Sequence, residues 1–165
     1  MVTTRRKLQS PSRQHGQRDG SIRMADVSAK SVTLRSAVAQ CQLAMLPRTL
    51  ATIKAGRLPK GDVWATAQVA GVLASKRTAD LIPLCHPIPL SHVVLRHRFE
   101  DDGLTLEAEV TTTAPTGPEM EALTAVAMAA LTVYDMCKAA ERGIVIHHLC
   151  LMSKSGGKSG TWRRQ

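Results

Sequence analysis

Aromatic side chains are nearly missing from this sequence: of 165 residues one is Phe, one Tyr and two Trp. Unstacked bases need ring platforms, so a reader of RNA or of single-stranded nucleic acid is disfavoured. The four cysteines, Cys41, Cys85, Cys137 and Cys150, lie far apart, with no Cys-x-x-Cys pair and no histidine at zinc-finger spacing. That pattern indicates neither structural zinc nor a disulfide framework, and reduced thiols in a cytoplasm are the expectation. Long apolar runs are absent too. The longest, Ala122 to Val133, is interrupted by Thr124 and Thr132 and falls short of a bilayer crossing, so no membrane partner is expected. No internal repeat is evident.

What is present suits one ordinary core, with 44% hydrophobic residues in a chain of single-domain length. The formal net charge is +9, and residues 1–23 carry five of those charges through Arg5, Arg6, Lys7, Arg13, Arg18 and Arg23 against Asp19. With almost no large apolar residue this segment cannot build a core and reads as a disordered basic tail; lacking an amphipathic face, it is a poor transit peptide. A single folded domain is expected over residues 24–162, with 163–165 as its C-terminal end. The folded part keeps a mild positive surplus, which suits a polyphosphate substrate as well as nucleic acid.

Residues 26–39 mix apolar and polar side chains without a clean period. Leu46, Leu50 and Ile53 are spaced for a short helix over 43–55, ending near Gly56. Asp62 is a plausible N-cap for a helix over 62–77, with Val63, Ala67, Ala70 and Ala74 on one face. Pro83, Pro87 and Pro89 confine residues 81–90 to a stiff extended path. Val93, Leu95, His97 and Phe99 alternate with polar neighbours, as do Leu104, Leu106, Ala108 and Val110, which predicts two strands around an Asp101-Asp102-Gly103 turn whose glycine supplies positive φ. Thr116 and Glu119 stand at capping-box spacing before an Ala-rich helix predicted to run to Arg142. Strand character resumes at 144–146 and 149–152, and 155–160 is a loop. The pattern predicts an α+β sandwich, helices on one face of a largely antiparallel sheet.

Several residues are candidates for chemistry. Asp135 and Lys138 lie one helical turn apart and can touch. Their plain reading is a surface ion pair, but Tyr134, Met136, Cys137, Ala139 and Ala140 surround them with apolar neighbours, and a partly desolvated Asp–Lys pair can transfer protons. Lys60 precedes a helix start, where free amides favour an anion, although such lysines are often merely solvated. Cys85 and His86 sit on the proline-stiffened segment, which aims them, though a lone histidine is commonly a hydrogen-bonded structural residue. His147 and His148 lack metal-ligand spacing and read as solvated strand residues. The stretch Lys154 to Gly160 contains Gly-Lys-Ser, but Met152 stands where a P-loop needs glycine, so this is a flexible lysine loop suited to phosphate rather than a Walker motif.

Taken together, Lys60-Gly61-Asp62-Val63 with Ala65-Thr66-Ala67 and Ala70-Gly71, Lys76-Arg77-Thr78, Leu81 to Pro87, Thr116 to Thr124, Leu131 to Lys138 and Lys154 to Gly160 closely resemble the MoaC family, the cyclic pyranopterin monophosphate synthases. The resemblance spans residues 24–162. It implies a ferredoxin-like fold assembled as a homohexamer, a trimer of dimers, with active sites at subunit interfaces. It implies as substrate 3′,8-cyclo-7,8-dihydroguanosine triphosphate, a GTP-derived cyclic nucleotide supplied by a radical S-adenosylmethionine enzyme, and, as reaction, its conversion to cyclic pyranopterin monophosphate and pyrophosphate in molybdenum-cofactor biosynthesis, a phosphorus–oxygen lyase activity. No resident metal or cofactor is implied, with Mg²⁺ a possible companion of the triphosphate. By resemblance Asp135 is the catalytic aspartate, joined by Lys60 and Lys138. Leu84, Cys85, His86, Met120 and Glu121 match substrate-contacting positions, Glu119 fits the same wall, and Arg77, Lys154 and Lys158 look like phosphate-side cations. Pro118 and Ala25 depart from the family pattern without removing a functional group. Two other classes compete: a catalytically silent nucleotide-binding paralogue, and a basic nucleic-acid module disfavoured by the few rings and the charge concentrated in the tail.

Overall fold

The structure, a computed structural model, describes residues 20–165. The basic tail expected over 1–23 lies outside the described residues as far as residue 19; residues 20–23 are exposed and without regular structure. The elements run β1 (Thr33–Ala44), α1 (Pro47–Lys54), α2 (Val63–Ser75), α3 (Thr78–Leu81), β2 (Leu90–Phe99), β3 (Gly103–Ala114), α4 (Glu119–Cys137), β4 (Val145–Ser155) and β5 (Trp162–Arg163). The strands form one antiparallel sheet in the order β2-β3-β1-β4-β5. Apart from the short β5, this is the βαββαβ arrangement of a ferredoxin-like α+β sandwich.

The β2–β3 hairpin forms as its alternation requires, with Phe99 opposite Leu104 and Leu95 opposite Ala108. Arg96 and Arg98 point outward, Arg96 onto Glu107 and Glu109 and Arg98 onto Glu100, while Leu95, Leu106 and Val110 enter the core. Fully burying a side chain of that size is worth about 1.5–3 kcal/mol. Gly103 serves a different purpose from the one expected. It is not among the positive-φ glycines; a Cβ there would run into the carbonyl of Leu43 on β1, so close approach of two strands demands glycine.

β1 occupies the stretch that showed no clean period. Its buried side chains are small or modest, Ala37, Ala39, Cys41 and Leu43, and the other face carries the apolar Val38, so the alternation is weak. The first helix consequently starts at Pro47, after Leu43 and Ala44 have completed the strand. Residues 145–155 form one strand rather than two segments, with His148 at φ 50° beside the register irregularity opposite Gln40 and Gln42. His148 Nδ1 lies 2.9 Å from Gln42 Oε1, and the His147 ring meets it edge-on at 4.6 Å.

α4 is shorter at both ends than predicted. Pro118 is the N-cap residue and no side chain caps it; the capping box fails because the Glu119 carboxylate is taken by Lys154 at 2.9 Å. The helix stops at Cys137 because residues 138–142 turn back across the fold, where Glu141 accepts the Leu46 N–H and the Arg142 carbonyl accepts the Tyr134 hydroxyl. By length and composition this helix would suffice to cross a membrane, contrary to the reading that no stretch does, but half of it is buried inside the fold. Ala122, Ala125, Val126, Ala129 and Val133 face inward, toward α2 and strands β1, β3 and β4. Small residues allow α2 to lie close: a methyl on Gly71 would fall 2.9 Å from the Ala125 carbonyl oxygen.

Candidate active site

The site residues fall into two groups at opposite ends of α4. At its C-terminal end, Asp135 is gripped by two ammonium groups. Lys60 Nζ lies 2.6 Å from Oδ2 and also donates to the Asp135 carbonyl at 3.0 Å, and Lys138 Nζ lies 2.7 Å from Oδ1. Lys60 arrives there because Asp62 caps α2, its Oδ1 accepting from the amides of Trp64 and Ala65. The expectation of an anion held by free amides before α2 is therefore corrected: the chain's own carboxylate occupies them, and the lysine turns to Asp135 instead. Hydrogen bonds from Lys138 and then Lys60 pull the Asp135 pKa down to about 2, while Asp135 raises that of Lys138. The desolvation expected from neighbouring apolar residues is outweighed by the two lysines, since Met136 and Cys137 turn into the core and the Asp135 side chain stays 52% exposed. At neutral pH the triad is one carboxylate between two cations.

At the N-terminal end of α4, the proline-stiffened segment and the helix start enclose a cleft of about 320 Å³ lined by Leu84, Cys85, His86, Glu119, Met120 and Glu121, among others. A neighbouring cleft of about 280 Å³ shares His86 and Glu121 and extends to Lys76 and Asp80. Glu121 is the unusual group. Only 3% of it is exposed, Oε2 has no hydrogen-bond partner, and Oε1 lies 3.9 Å from the Cys85 thiol. Burial pushes its pKa up to about 7, with the nearby Glu119 adding to the rise. A carboxyl that holds its proton to neutrality and faces a cleft can give or take one during catalysis. The Cys85 thiol is also raised, by burial first and then by Glu121, so it is a contact rather than a thiolate nucleophile.

Lys154, near the end of β4, joins this cleft through its bond to Glu119. Lys158 lies beyond it, in a separate cleft of about 680 Å³ shared with Arg35, Lys30 and Asp26. Arg77 stands exposed at the α2–α3 turn and lines none of these clefts; it is Lys76, its neighbour, that does. Sequence reasoning passed over Lys76 and Arg35. Their only signal was a cation inside a motif or a strand, which spacing cannot tell from a solvated one. Among the described residues no three His, Cys, Asp or Glu side chains converge as a metal site needs.

The fold is an α+β sandwich whose clefts at the start of α4 bring carboxyl groups and lysines together. Comparison with known proteins sharpens that class. The model of the MoaC family matches residues 24–157, and the chain belongs to that family. It is 54% identical over 151 residues to a cyclic pyranopterin monophosphate synthase of Brevibacillus brevis, covering 91% of this chain and 94% of the relative. It is 55% identical over 148 residues to that of Thermomicrobium roseum, covering 88% and 89%. With that of Nostoc sp. the identity is 54% over 145 residues, covering 87% and 86%.

Proposed function

We propose that this protein is a cyclic pyranopterin monophosphate synthase, a phosphorus–oxygen lyase that converts 3′,8-cyclo-7,8-dihydroguanosine triphosphate into cyclic pyranopterin monophosphate and pyrophosphate in molybdenum-cofactor biosynthesis. The observation that carries the reading is the identity of more than half the residues with synthases over about nine-tenths of the chain. The site chemistry supports it. Opening the purine imidazole ring and closing a pterin requires proton transfers, for which Asp135, Lys60 and Lys138 at one end and Glu121 with His86 at the other supply donors and acceptors. Closing the cyclic phosphate joins a substrate hydroxyl oxygen to the innermost phosphorus and breaks the bond to pyrophosphate. Lys154 and Lys158 are suited to stabilising the charge that collects on the leaving group.

On this reading the working enzyme is a homohexamer, a trimer of dimers, with each site at a subunit interface. What supports a shared site is distance: fourteen helical residues put Glu121 and Asp135 about 21 Å apart along α4 at 1.5 Å per residue, too far for one small substrate to meet both within one chain; the number of subunits rests on the family resemblance. The protein works in the cytoplasm on the product of a radical S-adenosylmethionine enzyme, needs no resident cofactor, and meets Mg²⁺ only as a companion of the substrate triphosphate.

The test is to incubate purified protein with the 3′,8-cyclo nucleotide and assay pyrophosphate and pterin product together. Wild type is expected to form both, and Asp135→Asn to fold normally and form neither. Full turnover in the variant would remove Asp135 from the mechanism; no product from folded wild type would make the chain a silent nucleotide-binding paralogue.

A further inference from the structure

Rings are scarce in this chain, yet its one Phe and one of its two Trp, Phe99 and Trp64, stand in one place with His97 between them. The inward side chains of β2 run from buried Leu95 out to half-buried His97 and Phe99. There they meet Trp64 in the first turn of α2 and Lys54 at the end of α1. The ring centroids of Trp64 and His97 are 4.2 Å apart, those of His97 and Phe99 5.1 Å, and the Lys54 ammonium lies 5.0 Å from the Phe99 centroid. With Leu58 and Asp62 these side chains line an open cleft of about 720 Å³. It shares no residue with the clefts of the candidate active site. Lys60 lies between Leu58 and Asp62 in sequence, but its ammonium turns to Asp135.

The polar groups differ between the two ends of this row. Lys54 is exposed, lies over the Phe99 ring, and pairs with no carboxylate among the described residues. At the other end Asp62 spends Oδ1 on the amides of Trp64 and Ala65, which leaves Oδ2 as an acceptor. Burial holds the His97 pKa below its usual value against the pull of Asp62, so at neutral pH the imidazole presents one donor and one acceptor. Half-buried rings that still face water gain by being covered with a flat ligand. A cation, then rings, then a carboxylate select a flat heterocycle with an anionic group at one end and N–H donors at the other. We propose that this cleft binds a purine mononucleotide with an amino group on its base: the base covers Trp64 and His97 with its amino group toward Asp62, and the phosphate lies at Lys54, beyond Phe99. So few rings cannot serve a strand of bases, but they suffice for one.

The test needs no turnover and so does not rest on the synthase reading. In Trp162→Phe, Trp64 is the one tryptophan left, and its fluorescence reports on this cleft. Titration of that full-length protein with GMP is expected to quench the signal to saturation. IMP, which lacks the amino group, is expected to bind about tenfold more weakly. Because Asp62 also caps α2, its part is read from the ligand in this way rather than by substitution. Added to the same background, Lys54→Ala and Phe99→Leu are each expected to weaken GMP binding about fivefold or more. Lys54 is exposed, so that variant carries the test should Phe99→Leu fail to fold. No quenching by millimolar GMP, equal affinity for GMP and IMP, or unchanged GMP affinity in Lys54→Ala would each overturn the inference, and the last would assign the nucleotide to the cleft at the start of α4 instead.

Discussion

Glu121 ties stability to pH in a way that can be worked through from its surroundings. The side chain is 3% exposed, one carboxyl oxygen has no partner, and burial raises the pKa from 4.5 to about 7. In the unfolded chain the group loses its proton near its ordinary value; in the native chain it keeps it to neutrality. Between those values the folded state binds the extra proton, so stability falls as pH rises. The gap corresponds to about 3 kcal/mol, fully present below pH 4.5 and lost as pH climbs through 7. Glu121→Gln has nearly the same shape and no proton to lose. The variant is therefore expected to gain on wild type by about 2–3 kcal/mol between pH 5 and pH 8, while differing little at the acid end. Urea unfolding at fixed protein concentration, in steps of one pH unit, measures this directly. A stability difference that stays flat across that range would refute the reasoning, because it would mean that the carboxyl is solvated or paired in the native protein.

Two further substitutions probe the scaffold that holds the site. Gly71→Ala pushes a methyl against the Ala125 carbonyl and the Leu95 side chain and is expected to cost about 1–3 kcal/mol by overpacking; a variant as stable as wild type in denaturant would show that α2 and α4 part freely. Asp62→Ala removes the acceptor for the Trp64 and Ala65 amides and is expected to cost about 1 kcal/mol, read by the same unfolding assay, with an unchanged midpoint counting against the cap.

Elements whose signal is local were legible from residue order. The hairpin alternation and the Asp62 cap appear as read, and so does the α2 face with Val63, Ala67 and Ala74, except that Gly71 rather than Ala70 is buried on it. β1 was not, because a central strand that buries alanines and a cysteine leaves little contrast between its faces. The Asp135–Lys138 contact followed from helical spacing, but the third member, Lys60, lies 75 residues away in sequence, and only the packing of α2 against α4 brings it there. Glu119 shows the limit of a local rule: its spacing from Thr116 fits a capping box, yet Lys154 of the distant strand β4 wins the carboxylate. The burial of Glu121 had no local signal at all, since depth depends on what covers the helix start.

The length of α4 reaches beyond chemistry. On the interfacial reading, each active centre takes Asp135 from one polypeptide and Glu121 from another, so no subunit owns a complete set. Two inactive proteins then complement one another: pairing Glu121→Gln subunits with Asp135→Asn subunits creates one doubly damaged centre and one intact centre, and random mixing in pairs returns about a quarter of wild-type turnover. A cell carrying both alleles would keep the pathway running although neither gene alone encodes a working enzyme.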